Sequence, residues 1–339
     1  MRDFILVQRD TLRRAPVRGA KSAVSRSWVR RAKILPIMGM LVVGTLAATA
    51  LPAAAGPMSD AYIFIDRGKT YNDRAEWDSA IKELDRAVKL EPSYNAFLNR
   101  GNSYRGKGDL DHAIQDYNEA IKLNPLGALA YLHRGKVYND KAEYERAIQD
   151  FDSAIRLDIT DANAFLNRGN SFRALGEDDR ALQDYSQALK RNSNDAVTWL
   201  HRGKVYNDRG QYELAIKDFD KSIKINPKDA NAYLNRGNAY HGEKKLDLAI
   251  QDYERALQLN KNDSVTFISR GKAYIDKGEY DLAIADLDHA IKLNPKDANA
   301  FLSRASAYRG KGDQVQALQD YEQARQLSPE GAVALNSGE

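Results

Sequence analysis

Five histidines, a few paired acids and a recurrent set of asparagines are the side chains whose types could do chemistry. The histidines are His112, His133, His201, His241 and His289. None has another histidine one helical turn away, cysteine is absent, and no His-Glu-x-x-His occurs, so no local metal set is expected. His133 and His201 share a place in a repeat but lie two repeats apart. With successive helices roughly 10 Å apart, that is about 20 Å, too far to share a metal. Asp178 and Asp179 read as a helix start, and the glycines punctuate helices instead of forming a phosphate loop. Neither an enzyme nor a cofactor is expected. What remains is amide chemistry. Asparagine offers two donors and an acceptor group, suited to a peptide backbone or sugar hydroxyls.

The elements that must position these groups are written eight times. Arg-Gly recurs at Arg67, Arg100, Arg134, Arg168, Arg202, Arg236 and Arg270, and Arg304 is followed by Ala305. The first interval is 33 residues and every later one 34, a period that means a stacked array. With the glycine at position 8, the units begin at Ala61, Tyr94, Ala128, Ala162, Ala196, Ala230, Ser264 and Ala298. Positions 4 and 11 are aromatic in every unit, as in Trp199 and Tyr206. Position 20 is always alanine, position 24 is Leu, Phe or Tyr, and position 27 is Ala or Ser222. Positions 4, 7, 8 and 11 fall on one side of a first helix, and 20, 24 and 27 on one side of a second. Small residues at 8 and 20 let the two axes approach, and the aromatics fill the space around them. Proline at 32 (Pro92, Pro125, Pro227, Pro295, Pro329) stops the second helix, and aspartate at 34 (Asp161 to Asp297) caps the next.

This order of aromatic, Gly, Tyr, Ala, aromatic, Ala and Pro resembles the tetratricopeptide repeat family over residues 61–331. The departures are Ala305 for glycine, and Ile159, Ser193 and Lys261 for proline, where looser junctions are expected. The resemblance implies an all-α fold, a right-handed α-solenoid of eight helix-turn-helix units whose first helices line a concave groove. That family's carboxylate clamp wants lysine at position 5. Position 5 is Leu or Ile throughout, so the clamp is not carried over.

The chain's net charge of +4 is uneven. Residues 1–55 hold ten Lys/Arg and two Asp/Glu, so the rest keeps 41 basic against 45 acidic residues, and nucleic acid is not an expected partner. Arg26, Arg30, Arg31 and Lys33 precede an uncharged run from Ile34 to Ala55 that ends in Ala53-Ala54-Ala55. Residues 1–55 therefore read as an export signal cut after Ala55, placing the protein in the periplasm or cell envelope. The alternative is an uncleaved membrane anchor at 34–55. The lack of cysteine excludes a lipoprotein and a disulfide framework. Residues 332–339 read as a disordered tail, too short for a covering helix. The eighth unit is expected to fray, or to be covered by self-association.

Odd and even units differ. Odd units carry Lys69, Lys136, Lys204 and Lys272 at position 9 and Asp73, Asp140, Asp208 and Asp276 at 13. Even units carry Asn95, Asn163, Asn231 and Asn299 at position 2, Asn99, Asn167 and Asn235 at 6, Asn102, Asn170 and Asn238 at 9, and a small residue at 13. Positions 2, 6, 9 and 13 share a face opposite the aromatics. The resemblance places that face in the groove, where it would meet a partner protein or an extended peptide. Lysine and aspartate at i, i+4 are expected to pair within the helix. A self-associating structural role and a glycan-binding role are the alternatives.

Arginine fills position 7 in every unit, and position 23 is always acidic. An arginine between two aromatics on the packed side needs a partner, so it is expected to pair with an acid at 23. The alternative is a stem laid over the rings with its head in water. Arg202→Ala should cost about 3–5 kcal/mol if the pair is buried and under about 1 if it is exposed.

Overall fold

The structure, a computed structural model, describes residues 59–328. The export and anchor readings of 1–55, and the tail 332–339, lie outside the described residues. So does the stretch after Ser328, on which fraying of the eighth unit turns.

Sixteen helices run through the described residues. The first helices are α1 (Asp60–Asp73), α3 (Tyr94–Lys107), α5 (Ala128–Asp140), α7 (Ala162–Ala174), α9 (Ala196–Asp208), α11 (Ala230–Gly242), α13 (Ser264–Lys277) and α15 (Ala298–Lys311). The second helices are α2 (Trp77–Leu90), α4 (Leu110–Leu123), α6 (Tyr144–Leu157), α8 (Asp178–Arg191), α10 (Tyr212–Ile225), α12 (Leu246–Leu259), α14 (Tyr280–Leu293) and α16 (Gln314–Leu327). They pair in order into eight helix-turn-helix units. None is long and apolar enough to cross a membrane.

Local chemistry explains the boundaries. Asp161, Asp195, Asp229, Asp263 and Asp297 each cap the first helix that follows, their side chains accepting from the backbone N–H two residues on. The turn inside each unit needs a left-handed residue at position 15. Glycine supplies it in five units, and Ala75, Ala142 and Lys244 adopt it in the others. The junctions without proline differ from expectation. α6, α8 and α12 end at the same position as the rest and close with the same backbone bond, such as Asn192 N–H to Ala188 O at 2.8 Å. An Asn or Asp leaving the helical region one residue after each helix suffices, so proline is not what sets the end.

There is no common core. Buried residues fall into local clusters, each shared by neighbouring helices. The residue at position 24 (Leu84, Tyr117, Phe151, Tyr185, Phe219, Tyr253 or Leu287) is fully buried at the centre of its unit. It presses on the glycine at position 8: a Cβ on Gly203 would lie 2.7 Å from the Phe219 ring. Ala305 is accommodated in the eighth unit, where the facing Tyr321 is only partly buried.

The units also pair. Each odd unit packs more closely on the even unit after it than on the one before it. The aromatic at position 17 of an odd unit seats against position 13 of the next. A Cβ on Gly106 would meet Trp77 at 2.7 Å, and one on Gly242 would meet Tyr212 at 2.4 Å. The small residue at 13 in even units is thus a packing requirement, not an open place in the groove.

Candidate functional site

Adjacent first helices touch one another, from α1 on α3 to α13 on α15, while adjacent second helices do not. The first helices therefore stand on the inner side of the array, and their positions 2, 6, 9, 12 and 13 form its face.

The asparagines divide into three groups. Asn95, Asn163 and Asn231 are exposed. Asn99, Asn167 and Asn235 turn their amide N–H back onto the carbonyls of Asn95, Asn163 and Asn231 at 2.7, 2.7 and 2.6 Å. Asn102, Asn170 and Asn238 accept from the buried hydroxyls of Tyr117, Tyr185 and Tyr253 at 2.8–2.9 Å. This last set explains the alternation at position 9. In units two, four and six the buried tyrosine hydroxyl at position 24 needs an acceptor, and asparagine supplies one; in the eighth unit Tyr321 is only partly buried and Ser306 stands at 9. Where position 24 is Leu or Phe, lysine stands at 9 instead.

The expected lysine–aspartate pairing within a helix is not made. Asp140 and Asp208 take their cations from the preceding even unit, Arg105 and Arg173 at 2.8 Å, and Asp276 meets His241 at 2.9 Å and Lys244 at 3.4 Å from the unit before it. A planar guanidinium one helix away meets the carboxylate better than a lysine on the same helix. Lys136 and Lys204 are left half-buried without an ion pair. Burial, reinforced by Arg105 and Arg173, lowers both below the ordinary lysine value. Lys69 and Lys272, in the first and seventh units, are exposed.

His133 and His201 sit one turn before these lysines, against Tyr117 and Tyr185. With Nδ1 protonated, His201 donates to Asn170 Oδ1 at 2.7 Å. Burial, then the neighbouring lysines, pushes both histidines down to about 4. An unfolded histidine titrates near 6.5. Between those values the unfolded chain binds protons that the native array does not. The contribution is therefore full above about pH 6.5 and is lost as pH falls toward 4, on the order of 1–3 kcal/mol per histidine. Urea midpoints should fall from pH 7 to 4.5, and less steeply in His133→Gln plus His201→Gln. Equal slopes would contradict this.

The arginines at position 7 build a ladder along the packed side. In units two to eight both Nε and one terminal nitrogen grip the acid at 23, as Arg202 grips Asp218 at 2.7 and 2.9 Å. In all of these units but the seventh, the other terminal nitrogen reaches back to the preceding unit: Arg100 to Asp85 at 2.7 Å, Arg202 to Ser186 at 3.0 Å, Arg236 to Asp220 at 2.6 Å. Each guanidinium also lies between the rings of positions 4 and 11, for Arg202 at 4.9 Å from Trp199 and 5.8 Å from Tyr206. Burial opposes the charge on Arg100, and the bonds to Asp116 and Asp85 outweigh it, holding the guanidinium above its ordinary value. The first unit departs: Arg67 is 59% exposed and stands 3.8 Å from Glu83, which bonds Arg86 instead.

A second lock joins odd units to even ones and is not evident from the sequence. Ser103 donates to Asn72 and Ser171 to Asn139, both at 2.7 Å. In the third pair Ala239 replaces the serine, and the buried Oδ1 of Asn207 has no partner. Ala239→Ser should therefore stabilise the array by about 0.5–1.5 kcal/mol. An unchanged or lower urea midpoint would contradict that assignment. The signal was the alternation at position 10, where even units carry Ser103, Ser171, Ala239 and Ala307.

Family models match along the array. One described as TPR repeat matches 101–141, 203–243 and 271–312, and two described as tetratricopeptide repeat match 162–195 with 230–263, and 128–158. Together they span more than half of the chain, which belongs to the tetratricopeptide repeat family. The fold is a repeat scaffold typical of protein–protein interaction, and none of these matches is to an enzyme family. No curated protein matches the sequence. Similar solved structures include the APC/C hetero-tetramer Cut9–Hcn1, with 21% identity, a TM-score of 0.58, 79% of this chain covered and 53% of that one. The chain thus spans about half the length of that relative. A tetratricopeptide repeat protein from Parabacteroides merdae is 22% identical, with a TM-score of 0.57 and 71% and 95% of the two chains covered. PilF of Pseudomonas aeruginosa is 21% identical, with a TM-score of 0.53 and 60% and 92% covered. At these identities the likeness is one of fold.

Proposed function

We propose that the protein is a non-catalytic interaction scaffold of the cell envelope that holds an extended peptide or a partner protein along its first helices. The observation that supports this reading is the contrast between the two sides of the array. On the packed side the arginines of units two to eight all grip the acid at 23, and six of those seven bond the preceding unit as well. On the inner side Asn95, Asn163 and Asn231 are exposed, and Lys136 and Lys204 are half-buried without a paired acid. Polar groups held at fixed spacing on rigid helices suit recognition of a chain with regular backbone donors and acceptors. The test is affinity capture from the exported compartment with Asn167→Ala plus Asn235→Ala. Loss of the captured protein supports the groove; unchanged capture points to an end or the outer side. The envelope placement is tested separately, by whether the mature protein begins at Gly56.

A second reading, self-association, draws on the last unit. Val315 and Leu318 are 67% and 62% exposed, whereas Ile250, equivalent to Leu318, is 8% exposed beneath the unit that follows it. A cleft of about 730 Å³ lined by Leu302, Leu318 and Tyr321 opens there. Concentration-dependent mass, lost in Leu318→Lys, would favour this reading over the first.

A further inference from the structure

Units three and five carry the same nine residues, Leu132–Asp140 and Leu200–Asp208, reading LHRGKVYND. In both, a histidine at position 6 and a lysine at position 9 face an arginine from position 12 of the preceding unit. The other odd units lack the set. Asp66 and Ser269 replace the histidine, the first unit has no predecessor among the repeats, and His241 replaces the arginine before the seventh. The combination therefore occurs twice, two units apart.

Each copy is partly built. Arg105 and Arg173 are held by the carboxylates of Asp140 and Asp208, which neutralise them. The ammonium groups of Lys136 and Lys204 come near the capping carboxylates of Asp161 and Asp229, but those are engaged with the backbone N–H of Asn163 and Asn231. A half-buried cation without a bonded acid is a costly arrangement that a ligand's acid would relieve. Beside the first copy a cleft of about 400 Å³ opens on Arg105 and His133, with Lys69, Asn99 and Asn102 on its wall and the acids Asp73 and Asp140 at its edge, the latter already bonded to Arg105. Between the two copies lies the fourth unit, with Asn163 exposed and Asn167 beside it.

We infer that these are two equivalent acid-recognition subsites, and that the extended ligand of the groove is an acidic peptide with two carboxylates about six residues apart. The inference rests on the reading of the groove as a peptide site. The spacing follows from geometry. Two units place the subsites about 20 Å apart, and an extended chain covers about 3.3–3.6 Å per residue. A peptide is favoured over other polyanions because amides, not further cations, stand between the two subsites. The lysine here is at position 9 with arginine at position 12 of the preceding unit, so the arrangement is not the clamp that requires lysine at position 5.

The test is selection of random twelve-residue peptides on the full chain, and on Lys136→Gln plus Lys204→Gln. Selected sequences should carry two Asp/Glu five to seven residues apart. Their affinity should fall at least tenfold in the double variant, persist in Lys136→Arg plus Lys204→Arg, and weaken with salt. Binding should also raise the titration midpoints of His133 and His201, read by NMR from their ring protons. The Arg pair keeps the test decisive should the Gln pair unfold. Peptides that lose affinity in Asn167→Ala plus Asn235→Ala yet carry no acidic pattern would overturn the inference and leave the groove reading standing. Failure to select any groove-dependent peptide would overturn both. Preferential binding of heparin over the selected peptides would overturn the choice of a peptide.

Discussion

Arg202→Ala should lower the unfolding free energy by about 3–5 kcal/mol, and Arg67→Ala by less than about 1. The two arginines occupy the same position in their units, so the difference isolates the pairing. Arg202 is 17% exposed and fixed in a two-toothed grip on Asp218, which is 6% exposed. Removing the guanidinium strands that carboxylate among Trp199 and Tyr206 and cuts the link to Ser186 in the unit before. Arg67 reaches Glu83 at only 3.8 Å from open solvent. The expected pairing with the acid at 23 is therefore made in units two to eight, with the guanidinium itself between the rings, and the alternative of a head in water describes Arg67 alone. Urea unfolding followed by far-ultraviolet circular dichroism separates the two variants. Equal small losses would mean that the ladder contributes nothing beyond surface charge.

A comparable effect is expected at the contact between the two helices of the same unit. Phe219→Ala should cost about 3–5 kcal/mol through the cavity it leaves. Gly203→Val should cost about 1–3 kcal/mol, because its first added carbon would already lie 2.7 Å from the Phe219 ring. The two losses should not add. In the double variant the valine enters space vacated by the phenylalanine, and the combined cost should fall short of the sum by 1 kcal/mol or more. Strict additivity would show that ring and glycine do not share a contact.

The pattern of invariant positions carried the fold. Period, helix faces and the pairing of positions 7 and 23 follow from residues identical or nearly identical in every unit. The site was less legible because its chemistry is relational. Asparagine at position 9 looked like an open amide until the tyrosine at 24 of the same units was seen to need its oxygen. Asp140 and Asp208 looked like partners for lysines on their own helix. Arg105 and Arg173, 35 residues earlier in the chain, reach them instead. Gly106 and Gly242 fall on the same face by spacing alone, but they are seats for Trp77 and Tyr212. The deciding partner lay on the other helix of the unit in the first case and across a unit boundary in the other two, where helical periodicity within one segment has nothing to say.

The account depends on the inner side of the array being the working surface. Hydrogen exchange measured with and without the captured partner tests this directly. Added protection should concentrate in α3, α5, α7 and α9, leaving α4, α6, α8 and α10 unchanged. Protection confined to the second helices, or to α15 and α16 alone, would contradict it.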